Sequence, residues 1–177
     1  MKEKSMAIYP THLVKNYVLE KILDTRLHFA SGKNQITNFL NGIRSAKKVL
    51  IILPRDRAEE VHARKYLTAL MKVFEKVQVT TLDVFSLRKI DVNWLGIPNQ
   101  SYLNRIRSEK FDLTIDLNSH HDVLCTYLAD LIEAPMRLHL VEGRFDKIYN
   151  LHIRSKMESS IEKRYQNLVK YMAHLRD

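Results

Sequence analysis

Two short stretches gather the side chains whose types and spacing could do chemistry. The first is "PRDRAEEVH", residues 54–62, directly after an aliphatic run. It places Arg55, Asp56, Arg57, Glu59, Glu60 and His62 at the carboxyl end of an expected buried strand, where a carboxylate can serve as a general base. The second is "NSHHD", residues 118–122, directly after "FDLTIDL". Asp116 closes that second strand and Asn118, Ser119, His120, His121 and Asp122 follow it. In an open α/β sheet, ligands bind outside the carboxyl ends of strands.

Each stretch also has a structural reading. Glu59 and Glu60 suit a solvated first helical turn, where carboxylates meet the positive end of the helix dipole. Asp122 or Ser119 suits a helix cap. Adjacent histidines on a turn rarely face one metal ion, so no metal site is expected. The Ser-His pair lacks the strand–elbow setting of a hydrolase nucleophile. Cys125 falls inside a helix and reads as a small buried apolar residue. Arg137, Arg144 and Lys147 could pair with phosphate, with surface charge as the plainer reading. The first loop contains no glycine, which removes both the dinucleotide fingerprint and the P-loop.

The elements that must hold these loops follow from periodicity. "KVLIILP", "KVQVTTLDV", "FDLTIDL", "MRLHLV" and "KIYNLHI" read as strands, the first buried on both faces as in parallel sheets. Helices are expected over 11–29, about 33–41, 58–75, 99–109, 122–133 and the last segment. In the first, Val14, Val18, Ile22, Leu13 and Tyr17 share helical spacing; in the second, Asn41-Gly42 reads as the stop. The face of the third carries Ala63, Leu67, Leu70 and Phe74, and that of the last Ile161, Tyr165, Leu168, Met172 and Leu175. Strands alternating with helices imply an α/β fold: a three-layer, Rossmann-like domain over 47–177 with a mostly parallel sheet. Residues 1–46 read as a helical extension packed on that core.

Composition bounds the rest. The chain has 177 residues, enough for one substantial domain. One cysteine excludes an intramolecular disulfide and suits a reducing compartment. The start "MKEKSMAIYP" has no apolar signal core, and Val49 to Leu53 is too short to span a bilayer. A cytoplasmic location is expected, with peripheral membrane contact as an option. The net charge of +9 is uneven: residues 1–48 hold nine Lys/Arg against three Asp/Glu, whereas residues 49–153 hold fourteen of each. Such basic flanks suit anionic lipid or phosphorylated ligands. Nucleic acid ranks last, because no nucleic-acid-binding motif is present.

The order of motifs resembles the N-terminal, acceptor-side half of the heptosyltransferase-like glycosyltransferases, a family built from two Rossmann-like domains. "KKVLIILPRDRAEEVHARKYLTAL" looks like the opening strand, loop and helix of that family. "FDLTIDLNSHHDVLCTYLADLIEAPMRLHL" is similar to its strand ending in Ile-Asp-Leu, the next helix, and Ala-Pro with an Arg before another strand. "YNLHIRSKMESSIEKRYQNLVKYMAHL" looks like its final strand and linking helix. The family's first loop carries a Gly-Asp pair whose Asp is the base; here Ala58 and Glu59 stand there. After Ile-Asp-Leu the family has a polar residue and Gly; here Asn118 and Ser119 do. The resemblance implies Glu59 as catalytic residue, with Arg55, His62, Asn118, Ser119 and His120 as substrate contacts. It stops where the family's donor-binding half would begin. The expectation is a stand-alone, glycosyltransferase-like domain without independent transferase activity, without cofactor, binding a phosphorylated sugar or glycolipid. The alternatives are a transferase completed by a donor-domain partner or homodimer, and a basic adaptor at a membrane surface.

Overall fold

A computed structural model of the chain describes residues 11–29, 38–94, 96–143, 146–153 and 159–176. The expected alternation is present. Helices α1 (Thr11–Phe29) and α2 (Phe39–Ser45) precede β1 (Lys48–Ile52), α3 (Arg57–Val73) and β2 (Gln78–Leu82). Two 3-10 turns then lead to α4 (Gln100–Ser108), β3 (Leu113–Asp116), α5 (Val123–Ile132), β4 (Met136–His139), β5 (Leu151–His152) and α6 (Ile161–Arg176). The five strands form one all-parallel sheet in the order β2-β1-β3-β4-β5. This is a Rossmann-like, three-layer α/β architecture.

Alternation along β1 explains the layers. Leu50 and Ile52 face a core shared with α1, α4 and α5, while Val49 and Ile51 face one shared with α2, α3 and α6. β1, β3 and β4 are buried almost throughout, as strands covered on both faces must be, whereas the edge strand β2 fully buries Leu82 alone. Burying each aliphatic side chain of this kind contributes about 1.5–3 kcal/mol. The helices start where short polar side chains satisfy free amides. Asp56 accepts from Glu59 N at 2.9 Å, Asn99 from Tyr102 N at 2.9 Å, and Asp122 from Cys125 N at 2.8 Å.

Two expectations are corrected. The apolar stripe of α1 does not face inward through Tyr17, Val18 and Ile22, which are exposed; Leu23 and Leu27 make the contact instead. The two are four residues apart and so share one face over α5. Val14 and Leu13 have side chains outside the described set. The second helix does not stop at Asn41-Gly42 but runs through it to Ser45, starting from the cap Asn38. Gly42 packs so closely on Met136 that a Cβ would come within 2.7 Å of its sulfur, so the glycine serves helix–sheet approach rather than termination. Residues 1–10, which carry part of the basic flank, and residues 33–37 of the expected second helix lie outside the described residues, as does Arg144.

In this strand order the connections leave β1 and β3 in opposite directions. The loops that diverge there, 53–56 and 117–122, border the crevice where such sheets place their ligands.

Candidate functional site

The crevice between the β1 and β3 loops is laced by the chain's own groups. Arg55 N donates to Asn118 Oδ1 at 3.1 Å, and the Arg55 guanidinium pairs with Asp122 at 3.1 Å. Asn118 in turn donates through its backbone and its amide to Asp116 Oδ1, at 3.0 and 2.6 Å. The other Asp116 oxygen accepts from the Tyr149 phenol, which also touches Thr126. Asp116 and Asn118 are fully buried. They form a framework that ties the two loops together, because buried polar groups need hydrogen-bond partners. Burial and the adjacent Asp116 push the Tyr149 phenol well above its ordinary range.

Glu59 and Glu60 do not make a solvated helical turn. Both are buried, at 5% and 4% exposure, in the first turn of α3 beneath neighbouring elements. Glu60 lies between Arg57 (2.9 Å) and Arg64 (2.6 Å), and Arg64 reaches on to Asp83. Burial opposes the Glu60 charge, but these arginines outweigh it and hold the carboxyl below its ordinary value.

Glu59 points the other way, toward β3 and α6. Its Oε1 accepts from Ser119 N and from the Tyr165 phenol at 3.1 Å. The Tyr165 hydroxyl also lies 2.8 Å from Leu117 O. The second Glu59 oxygen faces His120 Nδ1 at 3.3 Å. Burial raises the Glu59 carboxyl above its ordinary value, against the lowering effect of its bonds to Ser119 and Tyr165 and of the His120 charge. Burial, then the Glu59 charge, pushes the Tyr165 phenol far above its own range.

Of the residues singled out from sequence, Glu59, Ser119 and His120 therefore meet in one cluster. Arg55 and Asn118 meet beside them in another. His62 stands apart, between α3 and α6, against Glu162 at 3.2 Å. Asp122 is the α5 cap, and Cys125 is buried with its thiol pushed well up by desolvation, which disfavours a thiolate. Arg137 is not surface charge: it is buried and donates to Ile148 O and Ala134 O.

Sequence reasoning missed two members. Tyr165 was legible only as an apolar position in the α6 stripe; its hydroxyl is what matters. Arg164 Nη1 donates to Ser119 O at 3.1 Å, a contact 45 residues away along the chain. On the far side, His121 stacks on His139 at 4.9 Å, and His139 on Tyr149 at 4.6 Å. Burial, then the charge of His139, lowers the His121 value. Among the described residues no group of three or more His, Cys, Asp or Glu could hold a metal ion. No described helix is long and apolar enough to cross a membrane.

The sheet order and the crevice define a Rossmann-like α/β protein whose crevice loops are bonded to each other. Residues 15–175 match a family of unknown function, DUF6913, and the chain belongs to it. That span takes in α2 to α6, the whole sheet and most of α1. No curated protein and no solved structure matches the chain.

Proposed function

We propose that this protein is a glycosyltransferase-like domain that has no transferase activity by itself and binds a phosphorylated sugar or glycolipid at the carboxyl edge of its sheet. The single observation that carries the reading is the state of Glu59, the position that the resemblance assigns to the base. A base must reach the proton it removes. Glu59 is 5% exposed, with its oxygens committed to Ser119, Tyr165 and His120. The missing loop glycines act in the same direction, since a Cβ at Ala58 and Ser119 restricts close approach of a ligand to the backbone. The purified chain, given sugar nucleotides and phosphorylated sugar acceptors, is expected to release no nucleoside diphosphate. Turnover by the chain alone would refute the reading. Turnover only after a donor-domain protein is added would favour the partner-completed alternative.

A second reading, peripheral contact with an anionic membrane, is favoured by one feature. The loop between β2 and α4 exposes Ile90 at 74% and Trp94 at 77%. It is braced from within by Arg88–Asp91, Asn93 N to Ile97 O, and Asn99 N to Asp91 O. Trp at a rim of Arg and Lys suits the headgroup region. The chain should sediment with phosphatidylserine vesicles, lose this with salt, and lose it on Trp94→Ala. Retention on neutral vesicles only, or none at low salt, excludes the reading.

A further inference from the structure

We propose that the Ser119–His120 turn and Arg164 form a binding site for a phosphoryl oxyanion, with His120 Nε2 and the Arg164 guanidinium as the contacting groups and Glu59 as the residue that positions the imidazole. The inference rests on the reading above for the identity of the ligand, whose phosphoryl group would be the one bound, but not for the existence of the site.

The first support is the imidazole. His120 is on the surface, its side chain 59% exposed, yet its Nδ1 is anchored to a carboxylate that is 5% exposed. With Nδ1 facing that carboxylate, the Nε2–H of the imidazolium is the ring donor left for an oxyanion. Surface histidines usually rotate freely. This one is fixed by a partner that is itself fixed through Ser119 N and the Tyr165 phenol.

The second support is the arginine. Near this edge of the sheet Arg55 pairs with Asp122, Arg57 with Glu60, and Arg64 with Glu60 and Asp83. Arg164 has no carboxylate partner among the described residues. Among the described residues its side chain makes one hydrogen bond, to Ser119 O, which places the guanidinium on the peptide that joins Ser119 to His120. A guanidinium held at one nitrogen keeps its remaining donors for a planar or tetrahedral oxyanion. The two cationic or donor groups thus come from different elements, α6 and the β3–α5 turn, and meet over one peptide.

Among the described residues the charged groups bonded around this cluster are Glu59 from α3, Asp122 with its partner Arg55, and Arg164 from α6. Asp122 is neutralised by Arg55.

The test is long-range nitrogen-15 NMR of the His120 ring in the full chain, titrated with inorganic phosphate and, at matched ionic strength, with chloride. Phosphate should shift Nε2 saturably and chloride should not. Arg164→Ala should weaken phosphate about tenfold or more, with Arg164→Lys between. His120→Asn, at an exposed position, should fold normally and lose most of the affinity. Glu59→Gln, which removes the carboxylate facing Nδ1, should shift the ring nitrogen resonances and weaken phosphate. A linear phosphate response, an equal effect of chloride, or wild-type affinity in His120→Asn would overturn the site. A hexose phosphate that binds no better than inorganic phosphate would leave the oxyanion site standing and count against the sugar reading.

Discussion

Removing one hydroxyl, by Tyr165→Phe, isolates the bond network that closes the crevice. The phenol is 1% exposed, and its oxygen lies 2.8 Å from Leu117 O and 3.1 Å from Glu59 Oε1. It has one hydrogen for two acceptors. The change keeps the ring and its packing and removes the one hydrogen that these two buried acceptors share. An unsatisfied buried acceptor costs about 1–3 kcal/mol, so a loss of about 2 kcal/mol is expected. For a chain of this length that lowers Tm by about 4–8 °C. Urea unfolding followed by circular dichroism should show a lower midpoint with an unchanged slope.

The loss should also depend on pH. The folded-state value of Glu59 is raised, so its contribution is fully present below its ordinary 4.5 and is lost as pH rises through the folded value. The Tyr165 bond is one of the groups that limits that rise. Without it the value climbs further, and the deficit of the variant should be larger at pH 7 than at pH 4. Tyr66→Phe, whose hydroxyl accepts from an exposed Gln166 at 3.2 Å, should change stability by under about 0.5 kcal/mol. A loss for Tyr165→Phe as small as that of this control, or one equal at both pH values, would refute the reasoning.

Three further outcomes are expected. The folded-state value of Glu60 is lowered, so its stabilisation is present above its ordinary 4.5 and lost as pH falls through the folded value; Glu60→Gln should lower the neutral-pH stability and flatten the acid limb of the stability–pH curve. Arg137→Met should cost about 2–4 kcal/mol, read by urea unfolding, because it leaves Ile148 O and Ala134 O without donors in the interior. At Gly143 a Cβ would collide with His121 Nε2, so Gly143→Ala should destabilise by about 1–3 kcal/mol and shift the ring resonances of His121 and its stacking partner His139.

The strands and their alternation with helices were legible because they depend on local order. Val49–Ile52 is a run of β-branched and aliphatic residues, and the caps Asn99 and Asp122 stand where short polar side chains precede helical stretches. The α6 stripe likewise places Tyr165, Leu168 and Met172 in the core at helical spacing. The face of α1 was misread because apolar residues run most of the way round it, and only the position of α5 selects Leu23 and Leu27.

The site divides along the same line. Sequence alone placed the "PRDRAEEVH" and "NSHHD" loops at the carboxyl ends of two parallel strands, since strand direction and helix start are set within a dozen residues. Whether Glu59 faces solvent or interior was decided by elements far along the chain. Ser119 lies 60 residues away and Tyr165 lies 106 residues away. A carboxylate's solvation and hydrogen bonds set what it can do, and both are properties of the assembled layers rather than of the turn that carries it. The same packing left His120 outside, pinned by Glu59, with Arg164 beside it.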